Sequence, residues 1–234
     1  MGSTNSLSAA SLAHTSVTEE HRGGSRTVVV QNMQKKAGLA GRLIACTAPD
    51  VLLAQEVNLF SEDRNLFQAH HTSRFGYGTA IFCRSGEIAN VRQVACPVAE
   101  FGGFIRKKTT AAECAGIQCV SFHGYNGTPR RDVRGLTEHV QEVLKALGPG
   151  PAIFAGDFNT WTETHLDAVT NILGAAGFQL AFSWEYPGRN FPLDHVFLRG
   201  LTLLQSTTFT SEADHLGATL VLTGGTHCHA RDDT

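Results

Sequence analysis

The chemistry-bearing residues stand out first in the stretch Ala152-Ile153-Phe154-Ala155-Gly156-Asp157-Phe158-Asn159-Thr160. An apolar run stops at a glycine, and an acid and an amide follow at alternate positions. Read as the end of a strand, this aims Asp157 and Asn159 the same way from the C-terminal edge of a sheet. A carboxylate placed there can hold or deprotonate a water, and an amide can donate to a developing oxyanion. The same residues could instead form an Asx-rich turn with no chemistry. The pattern recurs along the chain. Asn32 follows the run Thr27–Val30, Glu56 follows Val51–Ala54, and His123 follows Ile117–Phe122. Asp194 and His195 lie inside Pro192-Leu193-Asp194-His195-Val196-Phe197, and Asp214-His215 precedes the run Ala218–Leu222. Each has an ordinary use alone: a turn cap at Asn32, a solvated strand end at Glu56, a core histidine at His123, surface pairs at the two Asp-His sites. Together they do not, because arbitrary polar strand ends would mix in Lys, Arg, Ser and Thr. Acids, amides and histidines are what a hard divalent cation and in-line phosphoryl chemistry need.

The elements that must position these residues are mostly strands. Buried strands are expected at Thr27–Val30, Val51–Ala54, Thr79–Phe82, Ile88–Val94, Ile117–Phe122, Ile153–Ala155, Leu193–Leu198, Leu201–Leu204 and Ala218–Leu222. Leu39, Leu43 and Ile44 suggest one helix. Val133, Leu136, Val140, Val143, Leu144 and Leu147 hold helical spacing, closed by Gly148-Pro149, and Leu166, Val169, Ile172 and Leu173 mark another. Strands separated by about three helices point to two packed sheets flanked by helices.

Composition agrees with a sizeable core. The chain has 234 residues, 42% of them apolar and 17% charged, which excludes global disorder. A net charge of −2 means that any nucleic-acid contact must come from a local basic patch. Six cysteines without a CxxC pair read as buried hydrophobes of a reducing, cytoplasmic compartment. Residues 1–26 form a Ser/Thr/Ala/Gly leader, expected to be disordered, with no run long enough for a signal core or membrane span. A catalytic domain is expected at 27–223. His227, Cys228 and His229 could ligate a metal, but in a chain end they read as part of a flexible tail over 224–234.

The ordered set Gln31-Asn32, Gln55-Glu56, His123, Gly156-Asp157-Phe158-Asn159, Leu193-Asp194-His195 and Asp214-His215 resembles the endonuclease/exonuclease/phosphatase superfamily with the DNase I-like fold, in a compact bacterial form. The resemblance spans Thr27 to Leu222. It implies an α+β fold, a four-layer αββα sandwich of two mostly antiparallel sheets with the site at one sheet edge. By the same resemblance, Glu56 is the principal ligand of Mg²⁺ or Mn²⁺, supported by Asn32, with Asp214 near the metal. Asp157 orients or deprotonates the attacking water, and Asn159 donates to the phosphoryl oxygens. His215 faces the scissile phosphate, and Asp194 orients it and raises its pKa. His123 and Asn126 fall where the family contacts phosphate. The last motif departs from the commoner Ser-Asp-His-x-Pro: Ala213 replaces the serine, and the proline is missing, but the Asp-His pair survives.

The substrate reading rests on charge. Arg106-Lys107-Lys108 and Arg130-Arg131 with Arg134 concentrate positive charge and could hold a nucleic-acid backbone or an inositol phosphate. Trp161, Trp184, Tyr125 and Phe191 could stack a base, although Trp184 and Phe191 also suit packing. The favoured function is a monomeric metal-dependent phosphodiesterase or nuclease. The alternatives are a phosphatase or phosphodiesterase on a small or lipid-derived phosphoester, and a non-catalytic binding module on the same fold.

Overall fold

The computed structural model describes residues 24–127, 132–189 and 191–224. The leader and tail, apart from residues 24–26 and 224, lie outside the described residues, and so do Arg130 and Arg131.

Two six-stranded sheets face each other. The first runs, in spatial order, β11 (Thr202–Phe209), β12 (Gly217–Thr223), β1 (Arg26–Asn32), β2 (Val51–Asn58), β4 (Tyr77–Cys83) and β3 (Ala69–Thr72). The second runs β5 (Ile88–Ala95), β6 (Lys108–Cys114), β7 (Ile117–His123), β8 (Ala152–Asp157), β10 (Asp194–Arg199) and β9 (Gln179–Trp184). Each sheet has one parallel pair, β1 with β2 and β7 with β8, and its other neighbours are antiparallel. A parallel pair needs a crossover. Helix α1 (Leu39–Thr47) makes the first and α2 (Arg134–Lys145) the second. A third helix, α3 (Glu163–Ala175), packs beside α2.

Strand alternation builds the layers. Val28, Val30, Leu53, Ile81, Ile153 and Val196 point between the sheets. Their neighbours Val29 and Leu52 face outward against Leu39 and Leu43 of α1, while Phe154 and Phe197 face Leu136 and Val140 of α2 and Val169 of α3. Central strands covered on both faces read as unbroken apolar runs, which is why the sequence announces them. The result is a four-layer α+β sandwich of helix, sheet, sheet and helices.

Towards one end the filling between the sheets turns polar. Gln55 Nε2 donates to Ser121 Oγ (3.0 Å), and Ser121 Oγ donates to the Ala54 carbonyl (2.8 Å). Thr79 and Thr110 bond hydroxyl to hydroxyl at 2.9 Å. Gln31 donates to the carbonyls of Asn32 and His215. This seam lies under the strand tips and marks the functional end. Strands β3, β6 and β9 were not expected from sequence. β3 and β6 carry histidines, threonines or charges, and β9 is a half-exposed edge strand.

Candidate active site

Register brings the sequence-distant tips together. In the first sheet Asn32 pairs with Gln55, next to Glu56. In the second, His123 and Asp194 flank Asp157 on either side. Three neighbouring strands of the second sheet, β7, β8 and β10, therefore carry a titratable side chain at the same edge. Asn32, His123, Asp157, Asn159, Asp194 and His215 are buried.

Backbone strain aims two of these residues. β2 slips register against β4 between Ala54 and Val57, and Glu56 sits in that bulge at φ +48°. A bulge is a common device for re-aiming a side chain. Asn159 also lies in the left-handed region, at φ +56°. Gly156, at φ +139°, has no room for a Cβ, which would fall 2.2 Å from the Phe122 carbonyl oxygen and 2.9 Å from the Gln55 amide. The glycine of the Gly-Asp-Phe-Asn motif is thus required by backbone angle and by close packing.

Asp157 is the hub. Its Oδ2 accepts from Asn32 Nδ2 (3.1 Å), and its Oδ1 accepts from the Asn159 backbone N–H (3.0 Å). Asn159 Nδ2 donates to the Gly124 carbonyl at 3.1 Å, which ties the motif to the end of β7. His215 Nδ1 meets Asp194 Oδ2 at 2.7 Å, and its Nε2 lies 3.8 Å from Asp157 Oδ2. Burial opposes charging His215, but the hydrogen bond and charge of Asp194, with Asp157 and Asp214 beyond, outweigh it and push the imidazole up to about 9. Burial also raises Asp194, to about 7, against the pull of His215. The two shifts compete for one proton. The surrounding negative charge and the 2.7 Å bond place it on the imidazole, so the pair is imidazolium–carboxylate.

His123 is different. Its Nε2 contacts Lys107 Nζ at 2.5 Å and lies 3.6 Å from Glu56 Oε1 and 3.7 Å from Asp157 Oδ2. Burial first, then the Lys107 charge, hold it well below the usual histidine range. The neutral ring accepts from the ammonium at Nε2, which leaves its proton on Nδ1. Sequence reading took Lys107 only as part of a basic run, whereas the fold inserts it beneath the site. Glu100, also buried, lies near it. Burial raises the Glu100 carboxyl, and Lys107 opposes that rise.

The remaining expected residues fall on the rim. Asp214 is exposed and accepts from the Tyr186 hydroxyl at 3.2 Å, while the Tyr186 ring stands edge-on to His215. Asn126 donates its backbone N–H to Glu100 Oε1 and accepts from Trp161 Nε1 at 2.7 Å. Trp184 is buried and donates to the Leu216 carbonyl, so it packs. Tyr125 packs against the outer core under α2. Trp161 and Phe191 line a rim cavity with Arg189 and Leu193, and Arg189 lies 4.2 Å over the Trp161 ring. Arg134 pairs with Glu138 one turn along its helix. His195, for which a place in a surface pair was the ordinary alternative, is wholly buried. It bonds Thr160 at 2.6 Å and Ser183 at 2.7 Å, and burial lowers it to about 3.

The donors suit a hydrated Mg²⁺. Glu56 is partly exposed, Asp157 is adjacent, and Asn32 adds an amide. Glu56 and Asp157 converge within 3.7 Å of the same histidine nitrogen, which sets carboxylate donors side by side as a hard cation needs. Among the described residues no three His, Cys, Asp or Glu side chains form a metal cage. Mg²⁺ commonly takes one or two carboxylates and keeps several waters, so the residues fit it.

The whole is a two-sheet sandwich with a cluster of carboxylates and histidines at the strand tips. The chain belongs to the Endonuclease/Exonuclease/phosphatase family, which it matches over residues 24–215. A UPF0294 protein of Vibrio vulnificus strain YJ016 is 41% identical over 103 residues, 41% of this chain and 36% of the relative. The chain thus matches little more than a third of that relative's length. An endonuclease/exonuclease/phosphatase from Bacteroides vulgatus has the same fold, with a TM-score of 0.63 at 11% identity over 86% of this chain and 99% of the other. D. rerio TDP2 in complex with a single-strand DNA product gives 0.61 at 16% identity over 85% and 99%. No helix among the described residues is long and apolar enough to cross a membrane.

Proposed function

We propose that this chain is a Mg²⁺- or Mn²⁺-dependent phosphodiesterase that cleaves nucleic acid by in-line attack of water. The observation that carries the reading is the convergence on Asp157. Asn32 and Asn159 fix both of its oxygens, and a charged His215 faces it across 3.8 Å. That distance is too long for a direct hydrogen bond, and an oxygen lying to one side of the pair can reach both.

Asp157 takes a proton from the water as the water oxygen bonds to phosphorus. His215 Nε2–H donates to a non-bridging phosphoryl oxygen and stabilises the charge that builds there. Asp194 keeps the imidazole protonated and oriented. Asn159 shapes the turn that presents Asp157. The leaving oxygen departs in line with the water and takes its proton from solvent. Glu56 and Asn32 would hold the cation, which would supply polarisation of the phosphoryl group. His123, neutral and anchored by Lys107, is a phosphate-side contact with Asn126. Arg130 and Arg131, outside the described residues, remain proposed substrate contacts.

Nucleic acid is favoured over a small phosphoester by Arg106, Lys107 and Lys108 grouped with His123 and Asn126, and D. rerio TDP2, which shares this fold, is complexed with a single-strand DNA product. A reducing compartment fits the five described cysteines, all free thiols. The test is an activity panel in Mg²⁺, Mn²⁺ and EDTA. It sets plasmid, single-stranded DNA, RNA, abasic duplex, bis-p-nitrophenyl phosphate and inositol phosphates side by side. Metal-dependent cleavage of a polymer is expected. Full activity in EDTA overturns the metal assignment, and turnover of inositol phosphates alone overturns the substrate.

A further inference from the structure

Three phenylalanines stand out on the surface: Phe60 is 77% exposed, Phe75 48% and Phe104 69%. All three lie at one corner. Phe60 rests on Gly76, where an added Cβ would fall 1.9 Å from its ring. Phe75 lies on the turn between β3 and β4 and stacks on Tyr77, with centroids 6.5 Å apart and planes at 21°. Phe104 follows the short turn Phe101–Gly103. Arg74 bridges the two platforms, 4.8 Å over Phe75 and 5.9 Å over Phe104. Nothing in the mechanism above uses these rings.

They are continuous with the reacting centre. Lys35 lies 3.7 Å from Glu56 and 4.4 Å over the Tyr77 ring. Rings and cations therefore run outward from Glu56 in the order Lys35, Tyr77, Phe75, Arg74, Phe104. Two open cavities of about 220 and 210 Å³ follow this line, and they share Ser73, Ile105, Arg106 and Lys108 as walls. Both are smaller than the usual small-molecule pocket of about 300 Å³ or more, so they suit a chain laid along a groove. Their charge is lopsided: Lys35, Arg74, Arg106, Lys107 and Lys108 face Glu56 and Glu100 in a chain whose net charge is −2. The groove's supports are fixed. Glu100 accepts from the Asn126 backbone, and Gly76, at φ +78°, closes the Phe75 turn.

We propose that this corner is a base-stacking platform for a single-stranded nucleic-acid segment next to the scissile phosphate, with bases on Phe75 and Phe104 and phosphates on Lys35, Arg74, Arg106 and Lys108. This rests on the phosphodiesterase reading and narrows it to unpaired strands. Exposed flat rings interleaved with cations fit a polyanion carrying π-faces. They fit a duplex poorly, because its bases are already stacked on one another.

Fluorescence anisotropy of a labelled oligothymidylate of about ten nucleotides, in EDTA so that cleavage does not intrude, tests the platform. An abasic strand of equal length and charge is the comparison. The intact chain should bind the base-bearing strand more tightly. The pair Phe75→Ala with Phe104→Ala should weaken that strand about fivefold or more and leave abasic binding nearly unchanged, while Phe75→Tyr with Phe104→Tyr should keep the preference. Both rings are exposed, so urea midpoints should move little. Equal affinity for the two strands, equal loss on both, or ring-dependent capture of phosphatidylserine vesicles in place of oligothymidylate overturns the platform. The wild-type panel separates this from the parent reading. Base-selective binding without metal-dependent hydrolysis fails the enzyme and spares the platform, whereas hydrolysis without base selectivity does the reverse.

Discussion

His215 and Asp194 show how burial and charge compete at one residue. Burial alone would strip the imidazole of its proton, yet the 2.7 Å bond to Asp194 and the carboxylates around it push the ring up to about 9. A histidine whose folded pKa lies above its unfolded value near 6.5 contributes stability below about pH 6.5 and loses it as pH rises through 9. In metal-free protein this contribution should be at most about 3 kcal/mol. Asp194→Asn removes the main support, so melting temperatures between pH 6 and 9 should flatten relative to wild type. An unchanged pH dependence would mean that the proton is not held as described. Glu56 presents a different residue-scale effect, because its left-handed φ costs about 1–2 kcal/mol for any side chain. Glu56→Ala and Glu56→Gly both lose the carboxylate and should both lose metal-dependent turnover. The glycine variant should be the more stable by about 1 kcal/mol in urea, and equal stability would show that the bulge is unstrained.

At the level of elements, the site is made by strand ends, and the sharpest of these is β8. Gly156→Ala places a methyl group against the Phe122 carbonyl and Gln55 at a φ that alanine avoids. A loss of more than about 2 kcal/mol is expected in urea unfolding, with turnover falling further as Asp157 shifts; a fully stable variant would refute the packing argument. The elements legible in sequence were those buried on both faces or periodic over several turns. β8 and α2 came within a residue or two and α3 within three, because their apolar pattern has no competing reading. β3, with its two histidines, and β6, with its threonines and acid, escaped because their polar residues bond between the sheets: Thr110 to Thr79, His71 beside the Thr109 carbonyl. Short side chains paired inside a core look like loop residues until a partner strand is known. β9 escaped as an edge strand with little buried surface.

Across the whole molecule, the site residues were legible as strand-end acids, amides and histidines, and the fold does bring Asn32, Glu56, His123, Asp157, Asn159, Asp194 and His215 together. Their supports were not legible. Lys107 under His123, Glu100 beside it and Tyr186 against His215 come from loops and strand starts whose spacing carries no signal; only tertiary contact reveals them. The order of the strands has one more consequence, and it concerns the making of the protein rather than its action. Every strand of the second sheet comes from one uninterrupted stretch, 88–199, but the first sheet is split. Its strand β1, the first of the described strands, pairs with β12, the last of them, with Arg26 opposite Leu222. Such a pairing closes a loop of nearly the whole chain and pays its entropy late. During synthesis the second sheet can form as soon as its residues emerge, while one edge of β1 waits for β12. Leu220→Ala should therefore mainly speed unfolding, and Val196→Ala should mainly slow folding, as stopped-flow chevrons would report; the opposite assignment would place the nucleus in the split sheet. Asn32 and His215 flank that seam, so the candidate site comes together only as β12 docks beside β1.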